Sequence, residues 1–324
     1  MRSSRLALSF VVFVASACGA EGDGDAGIAR DAGRDTGVDA GPRCEPADGL
    51  PTPLVCNGHA SLCDRLFDDV AYATTHNAMS SDADGWIPPN QGPAMWQQLE
   101  DGVRAMMLDT YEDDGETLLC HGICALGSRP FVDALRELRL FMDCHPAEVI
   151  TLILEAHIDE ARTAAAFEAA GLLPYLHAQP LGVPWPTLRS LIESGRRMVV
   201  FTESASVSLD WHHHAYTYAW DNDYANETPE DLDCAPNRGT GEESIFVLNH
   251  FLTAPVAMRS LAEQVNHDPF FTERVERCVA ERRPGAELRD RRLLRDRRPL
   301  LGRRRPQRPL TRLRAWRARP GARG

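Results

Sequence analysis

Residues 149–158, Val-Ile-Thr-Leu-Ile-Leu-Glu-Ala-His-Ile, constrain the fold more than any other stretch of this chain. A strand that is apolar on both of its alternating faces must have both faces covered, as in a parallel strand of a helix-flanked sheet. Similar runs recur, so strands are expected at Val70–His76, Val103–Tyr111, Leu118–His121, Val149–Ile158, Arg197–Glu203, Tyr216–Asp221 and Ser244–Phe251. Helical spacing is read at Met95–Asp101, Phe131–Cys144, Ala161–Ala170, Pro186–Ser194, Ala257–Val265 and Phe271–Glu281. This alternation predicts a mixed α/β fold of the TIM-type (β/α) barrel. A doubly wound sheet is the alternative, but no Gly-rich phosphate loop supports it.

Barrel enzymes collect their chemistry at the C-terminal ends of the strands. The first strand runs into His76-Asn77, the second ends at Asp109, the third at His121, and the fourth carries Glu155 and His157. Each alone can be read as a cap or a satisfied polar residue, and Asn77 also suits a turn. Four consecutive strands with polar ends point instead to a site. Imidazoles exchange protons near neutral pH. Asn, Asp and Glu are hard oxygen donors for Ca²⁺ or Mg²⁺. Paired His beside a hard cation fits cleavage of a phosphodiester, whose charge the cation would offset.

"TTHNAM", "GVRAMMLDTYEDDGETLLCHG" and "EVITLILEAHI" resemble the X-domain of phosphatidylinositol-specific phospholipase C, in its secreted single-domain branch. "RMVVFTES", "YAWDNDY", "CAPNRG" and "FVLNHF" resemble later blocks of that branch, in order, over Cys56 to Ala280. The resemblance implies a TIM-type barrel in which the inositol 2-hydroxyl attacks phosphorus and diacylglycerol leaves. It makes His76 the general base and His121 the general acid. It makes Asn77, Asp109 and Glu155 ligands of Ca²⁺, with Mg²⁺ the alternative. Met107 stands where the metal-dependent members have a further acid, and Tyr111 where metal-free members have an Arg. A divalent cation is therefore expected to neutralise the phosphate.

The ends of the chain differ from its body. Arg2 and Arg5, the apolar run Leu6–Val14 and Ala15-Ser16-Ala17-Cys18 read as a signal peptide of lipoprotein type over residues 1–17. An ordinary secretory signal cleaved after Ala17 is the alternative. Residues 18–43, rich in Gly, Ala and Asp, read as a flexible tether, and 44–280 as the barrel. Eight Cys follow Cys18, an even number that suits disulfides in an exported chain, with Cys56–Cys63 and Cys120–Cys124 as plausible pairs. The expected location is therefore the cell envelope, lipid-anchored, or the exterior.

All 35 basic residues are Arg and 17 of them lie in residues 281–324, so the first 280 residues carry 18 Arg against 43 acids, a net of −25. So acidic a body argues against nucleic acid as a partner. A phospholipid at a membrane surface and a monomeric protein are expected. The Arg/Pro-rich segment 281–324 shows no strand or helix period; it reads as a frame break, with a basic tail as the alternative. On that reading the barrel lacks its last strand or has it disordered.

The leading expectation is thus a phosphodiesterase acting on phosphatidylinositol-like lipids and releasing diacylglycerol and inositol phosphate. A catalytically inactive lipid-binding lipoprotein is the alternative. A glycerophosphodiesterase is disfavoured because Thr75-His76-Asn77 lacks the His-Arg-Gly pattern of that family. "WHHHAY", His212–His214, reads as an exposed loop rather than a metal site; Tyr218 and Trp220 read equally as core or as rings that stack on inositol; Asp113, Asp114 and Glu116 read as a solvated loop.

Overall fold

Parallel strands carry the molecule. The computed structural model describes residues 11–16, 53–253 and 259–282. Its strands are β1 (Val11–Ser16), β2 (Tyr72–Thr75), β3 (Ala105–Asp113), β4 (Glu116–Cys120), β5 (Ser128–Pro130), β6 (Ile150–Ala156), β7 (Met198–Thr202), β8 (His212–His214), β9 (Ala219–Asp221) and β10 (Ile245–Asn249). Its α-helices are α1 (Met95–Glu100), α2 (Phe131–Cys144), α3 (Glu160–Ala169), α4 (Leu188–Glu193), α5 (Ala215–Tyr218), α6 (Arg259–Ala262) and α7 (Phe270–Arg282). Eight strands follow the order β8-β7-β6-β3-β2-β1-β10-β9, each parallel to its neighbours. The two ends of this path, β8 and β9, are joined through α5.

Period-2 alternation decides what each strand presents. Met106 and Leu108 of β3, Ile150, Leu152 and Leu154 of β6, and Met198 and Val200 of β7 pack with the buried stripe of α2, which includes Leu135, Leu138 and Phe141. The residues in between, Ala105, Ile153, Val199 and Phe201, join a second core with Tyr72, Ile245 and Val247. α2 follows its apolar spacing, and Asp159 and Thr187 cap α3 and α4 by accepting from Arg162 N and Ser190 N.

Four expectations need correction. The third strand is not part of the parallel path: β4 folds back antiparallel on β3, pairing Thr110 with Leu119 and Asp113 with Glu116. A tight turn at Asp114-Gly115, both at positive φ, forces that return. Tyr216–Asp221 is not one strand, because its first part is α5 and only Ala219–Asp221 extends. His212–His214 is a strand rather than an exposed loop, with His212 and His213 buried. Its three like residues hide the alternation that would mark a strand.

The fourth correction concerns the last strand. β1, from the apolar N-terminal run, lies between β10 and β2, pairing Ala15 with Asn249 and Ser16 with Thr75. A short Val- and Phe-rich segment suits a strand slot whose two edges would otherwise be unpaired. Cys18, the tether 18–43 and the tail beyond 282 lie outside the described residues. Cys56–Cys63, Cys120–Cys124 and Cys234–Cys278 are disulfides.

Candidate active site

Because the strands are parallel, their C-terminal ends share one end of the sheet. The side-chain period then brings one set of polar residues to the face turned away from α2. Asp109 follows Ala105 and Met107 on that face, Glu155 follows Ile153, Glu203 follows Phe201, Asp221 follows Ala219, and Asn249 follows Val247. Asp109 and Glu155 are direct partners in the β3–β6 register, and Glu203 N donates to Leu154 O one step further along.

His76 follows β2, and Asn77 turns the chain in the left-handed region at φ 48°, a conformation that Asn tolerates. That turn sends the Asn77 amide back over β3. With the amide assigned the orientation that satisfies both neighbours, its nitrogen donates to both carboxylate oxygens of Asp109 at 2.9 and 3.1 Å, and its oxygen accepts from His121 Nε2 at 3.2 Å. The β3–β4 hairpin register explains how His121 arrives: Cys120, one residue beyond the Thr110–Leu119 pair, lies level with Asp109, and His121 follows it. Four of the five expected residues thus come together: Asn77 and Asp109 are buried, His76 and His121 are half-buried beside them, and Glu155, exposed, borders them from β6.

Burial sets the electrostatics. The His76 imidazole is pushed down to about 3 by its burial, with the charges of His121 and Arg238 adding to the effect. Its ring stacks on Phe251 at 4.2 Å, and its Nδ1 is buried with no hydrogen-bond partner among the described residues. Burial also lowers His121, against an upward pull from Glu155. Both rings are therefore neutral near pH 7. Asp109 is raised to about 8 by burial and by the like charges of Glu155 and Glu203. Tyr111 stacks on His157 at 4.2 Å, and His157 Nε2 lies 3.0 Å from Glu155 Oε1.

Asn77, Asp109 and Glu155 fit a hard cation in donor type. The mutual repulsion that raises Asp109 is what a bound cation would relieve. The fit is sparse, because no group of three or more His, Cys, Asp or Glu side chains among the described residues is arranged to hold a metal. Water and the substrate would supply the remaining ligands.

A second cluster at the same end was absent from the sequence-derived site. Arg238, in the loop before β10, donates to Asp221 Oδ2 from Nε (2.9 Å) and Nη2 (2.6 Å), and to Glu203 Oε2 from Nη1 (2.8 Å). Its guanidinium sits between the rings of Tyr216 and Tyr224, at 4.7 and 4.6 Å. Tyr216 also donates to Glu203 at 3.0 Å. Burial acts against the Arg238 charge, but Asp221 and Glu203 outweigh it and hold the pKa above its usual value. Glu203 was legible, since "VVFTE" ends in an acid as "LILE" does. Arg238 was not, because a loop residue carries no period.

Of the rings considered for stacking, Trp220 is buried against Phe246 at 3.9 Å, and Tyr218 packs on His213 and donates to Gln179 O. Trp220 is a core residue, and Tyr218 is half-buried against the core. Asp113, Asp114 and Glu116 are exposed, as expected.

The sequence profile of the PI-PLC X domain family matches residues 62–279. A PI-PLC X domain-containing protein 1 of Arthroderma benhamiae is 29% identical over 64% of this chain and 72% of its own length. A PI-PLC X domain-containing protein of Arabidopsis thaliana is 28% identical over 72% of this chain and 61% of its own. An uncharacterized secreted protein of Arthroderma benhamiae is 25% identical over 63% and 49%. More than a third of the plant protein and about half of the secreted one thus lie outside the match. The profile match takes in His76, Asn77, Asp109, His121, Glu155, Glu203 and Arg238, and this chain belongs to the PI-PLC X domain family.

Proposed function

We propose that this chain is an exported, TIM-type barrel phosphodiesterase that cleaves phosphatidylinositol-like phospholipids. Family membership points to a phospholipase C-like phosphodiesterase. The observation that carries the finer reading is the placement of His76 beside His121, whose Nε2 donates to the Asn77 amide held on the buried Asp109 carboxylate. His76, neutral down to low pH, takes the proton of the inositol 2-hydroxyl as that oxygen bonds to phosphorus. The bond from phosphorus to the diacylglycerol oxygen breaks, and His121 returns a proton to the leaving oxygen. A phosphodiester anion between the rings adds to the upward pull of Glu155 on His121, favouring the protonated acid. Asn77, Asp109 and Glu155 would hold Ca²⁺ or Mg²⁺, whose charge would offset that of the phosphoryl oxygens. The disulfides among the described residues and the secreted relative support export.

The unpartnered His76 Nδ1 favours a second reading, an inactive lipid-binding protein, because a base without an orienting partner is a poor one. Release of inositol phosphate from phosphatidylinositol separates the two. His76→Ala and His121→Ala are each expected to lower turnover about 10²–10⁴-fold, and chelation to lower it in the wild type. A wild type no faster than His76→Ala would reject the enzyme.

A further inference from the structure

We propose that the Cys120–Cys124 disulfide positions the general acid, closing a small covalent ring around His121, and that a dithiol which opens this ring switches turnover off. The inference rests on the phosphodiesterase reading above, in which His121 protonates the leaving oxygen, and adds the element that holds this residue in place. The two cysteines flank His121 in "CHGIC", and their Cα atoms are 4.9 Å apart. An extended chain would separate them by about 13 Å. The bridge therefore folds the backbone back on itself at the acid.

The rest of the fold stops short of His121. The β4–β5 ladder ends at the Cys120–Ser128 pair, one residue before it. Past that pair Gly122 and Ile123 are exposed, so packing does not fix the segment, and Gly122 sits at φ 74°, where glycine alone moves freely. Among the described residues the His121 ring makes one hydrogen bond, to the Asn77 amide. The far side of the loop is anchored: Ile87 N donates to Leu126 O at 3.0 Å, and a Cβ on Gly127 would fall 2.5 Å from the Trp86 ring. Cys124 stands on that anchored side, and Cys120 is buried at the end of the ladder. The bond between them spans the stretch that neither anchor fixes, and Ile123 N donating to His121 O at 2.9 Å tightens the ring from within.

Exposure makes this bridge the reactive one. Of the three disulfides described above, it alone has a cysteine that solvent reaches: Cys124 is half-buried, whereas Cys56, Cys63, Cys234 and Cys278 are buried. One thiolate of a dithiol attacks Cys124 Sγ and forms a mixed disulfide there, while the Cys120–Cys124 bond breaks and its electron pair leaves on Cys120 Sγ. The second thiolate then displaces Cys124 Sγ, and the reductant departs as a cyclic disulfide. Two electrons and two protons pass from the dithiol to the two cysteines. With the ring open, the backbone no longer holds the His121 imidazole on the Asn77 amide.

Turnover of phosphatidylinositol by the full chain, with and without dithiothreitol, tests this beside Cys124→Ser, which cuts the bridge and leaves the buried Cys120 in place. Either change is expected to lower kcat about 10–100-fold with KM unchanged. Dithiothreitol is expected to change Cys124→Ser no further, which assigns the loss to this bridge. In a His121→Ala background Cys124→Ser is expected to add nothing, because the ring then has no acid to position. The imidazole NMR signal that His121→Ala removes is expected to shift on reduction, while that of His76 stays in place. A reduced wild type or a Cys124→Ser variant that keeps its full kcat, losses that add in the double variant, an unmoved His121 signal, or a His76 signal that moves with it would each overturn the proposal. The imidazole signals are read without substrate. A wild type that does not turn over but whose His121 signal alone shifts on reduction would reject the phosphodiesterase reading and leave the placement of His121 by the bridge standing.

Discussion

Arg238 meets two carboxylates and two phenol rings, and its removal would leave Glu203 and Asp221 without their shared counter-charge. Asp221 is 1% exposed, so water cannot replace the guanidinium. Arg238→Met is expected to cost about 3–5 kcal/mol, read as a lower urea midpoint. His250 tests burial on the opposite sign of charge. It is fully buried, its Nδ1 faces Arg274 Nη1 at 2.9 Å and its Nε2 donates to Val265 O. Burial, then the Arg274 charge, push it down to about 3. The unfolded chain takes up the proton near pH 6.5 and the folded one does not. The His250 contribution therefore erodes stability as pH falls from about 6.5 toward 3, by up to about 1.4 kcal/mol per pH unit. Urea unfolding at pH 7 and pH 5 is expected to show a smaller drop for His250→Gln than for the wild type.

At the scale of elements, periodic segments were legible and short irregular ones were not. Phe131–Cys144 is the helix its spacing predicts, and β6 and β7 sit within their expected runs, because one buried face or two leave a long signal. β5, β8 and β9 have three residues each, too few for a period to register, and tertiary pairing decides them. The Cys234–Cys278 bridge ties α7 to the loop before Arg238 across a separation of 44 residues. Cys234→Ser/Cys278→Ser is expected to lower stability by roughly 2–4 kcal/mol. Thermal melting would show it, with α7 losing amide-exchange protection first.

For the whole molecule the decisive element is β1. Pairing on both sides, with β2 and β10, makes Val11–Ser16 the strand between the first and last of the body. A chain begun at Cys18, as export processing would leave it, exposes the facing edges of β2 and β10. Calorimetry is expected to place its melting temperature below that of the full chain by on the order of 5 °C. Equal melting would mean that the segment contributes nothing to the sheet.

Local pattern alone determined the α/β alternation, the strands with two buried faces and the polar ends His76, Asp109, His121 and Glu155. These follow from the period of a strand and the cost of leaving apolar faces in water. Only the tertiary structure decided that β4 folds back to deliver His121, that Asn77 bridges His121 and Asp109, and that Arg238 joins Glu203 and Asp221. It also decided that the slot beside β10 is filled from the other end of the chain. Those contacts join residues distant in sequence through loops and register, and no local period records which partners a loop will bring together.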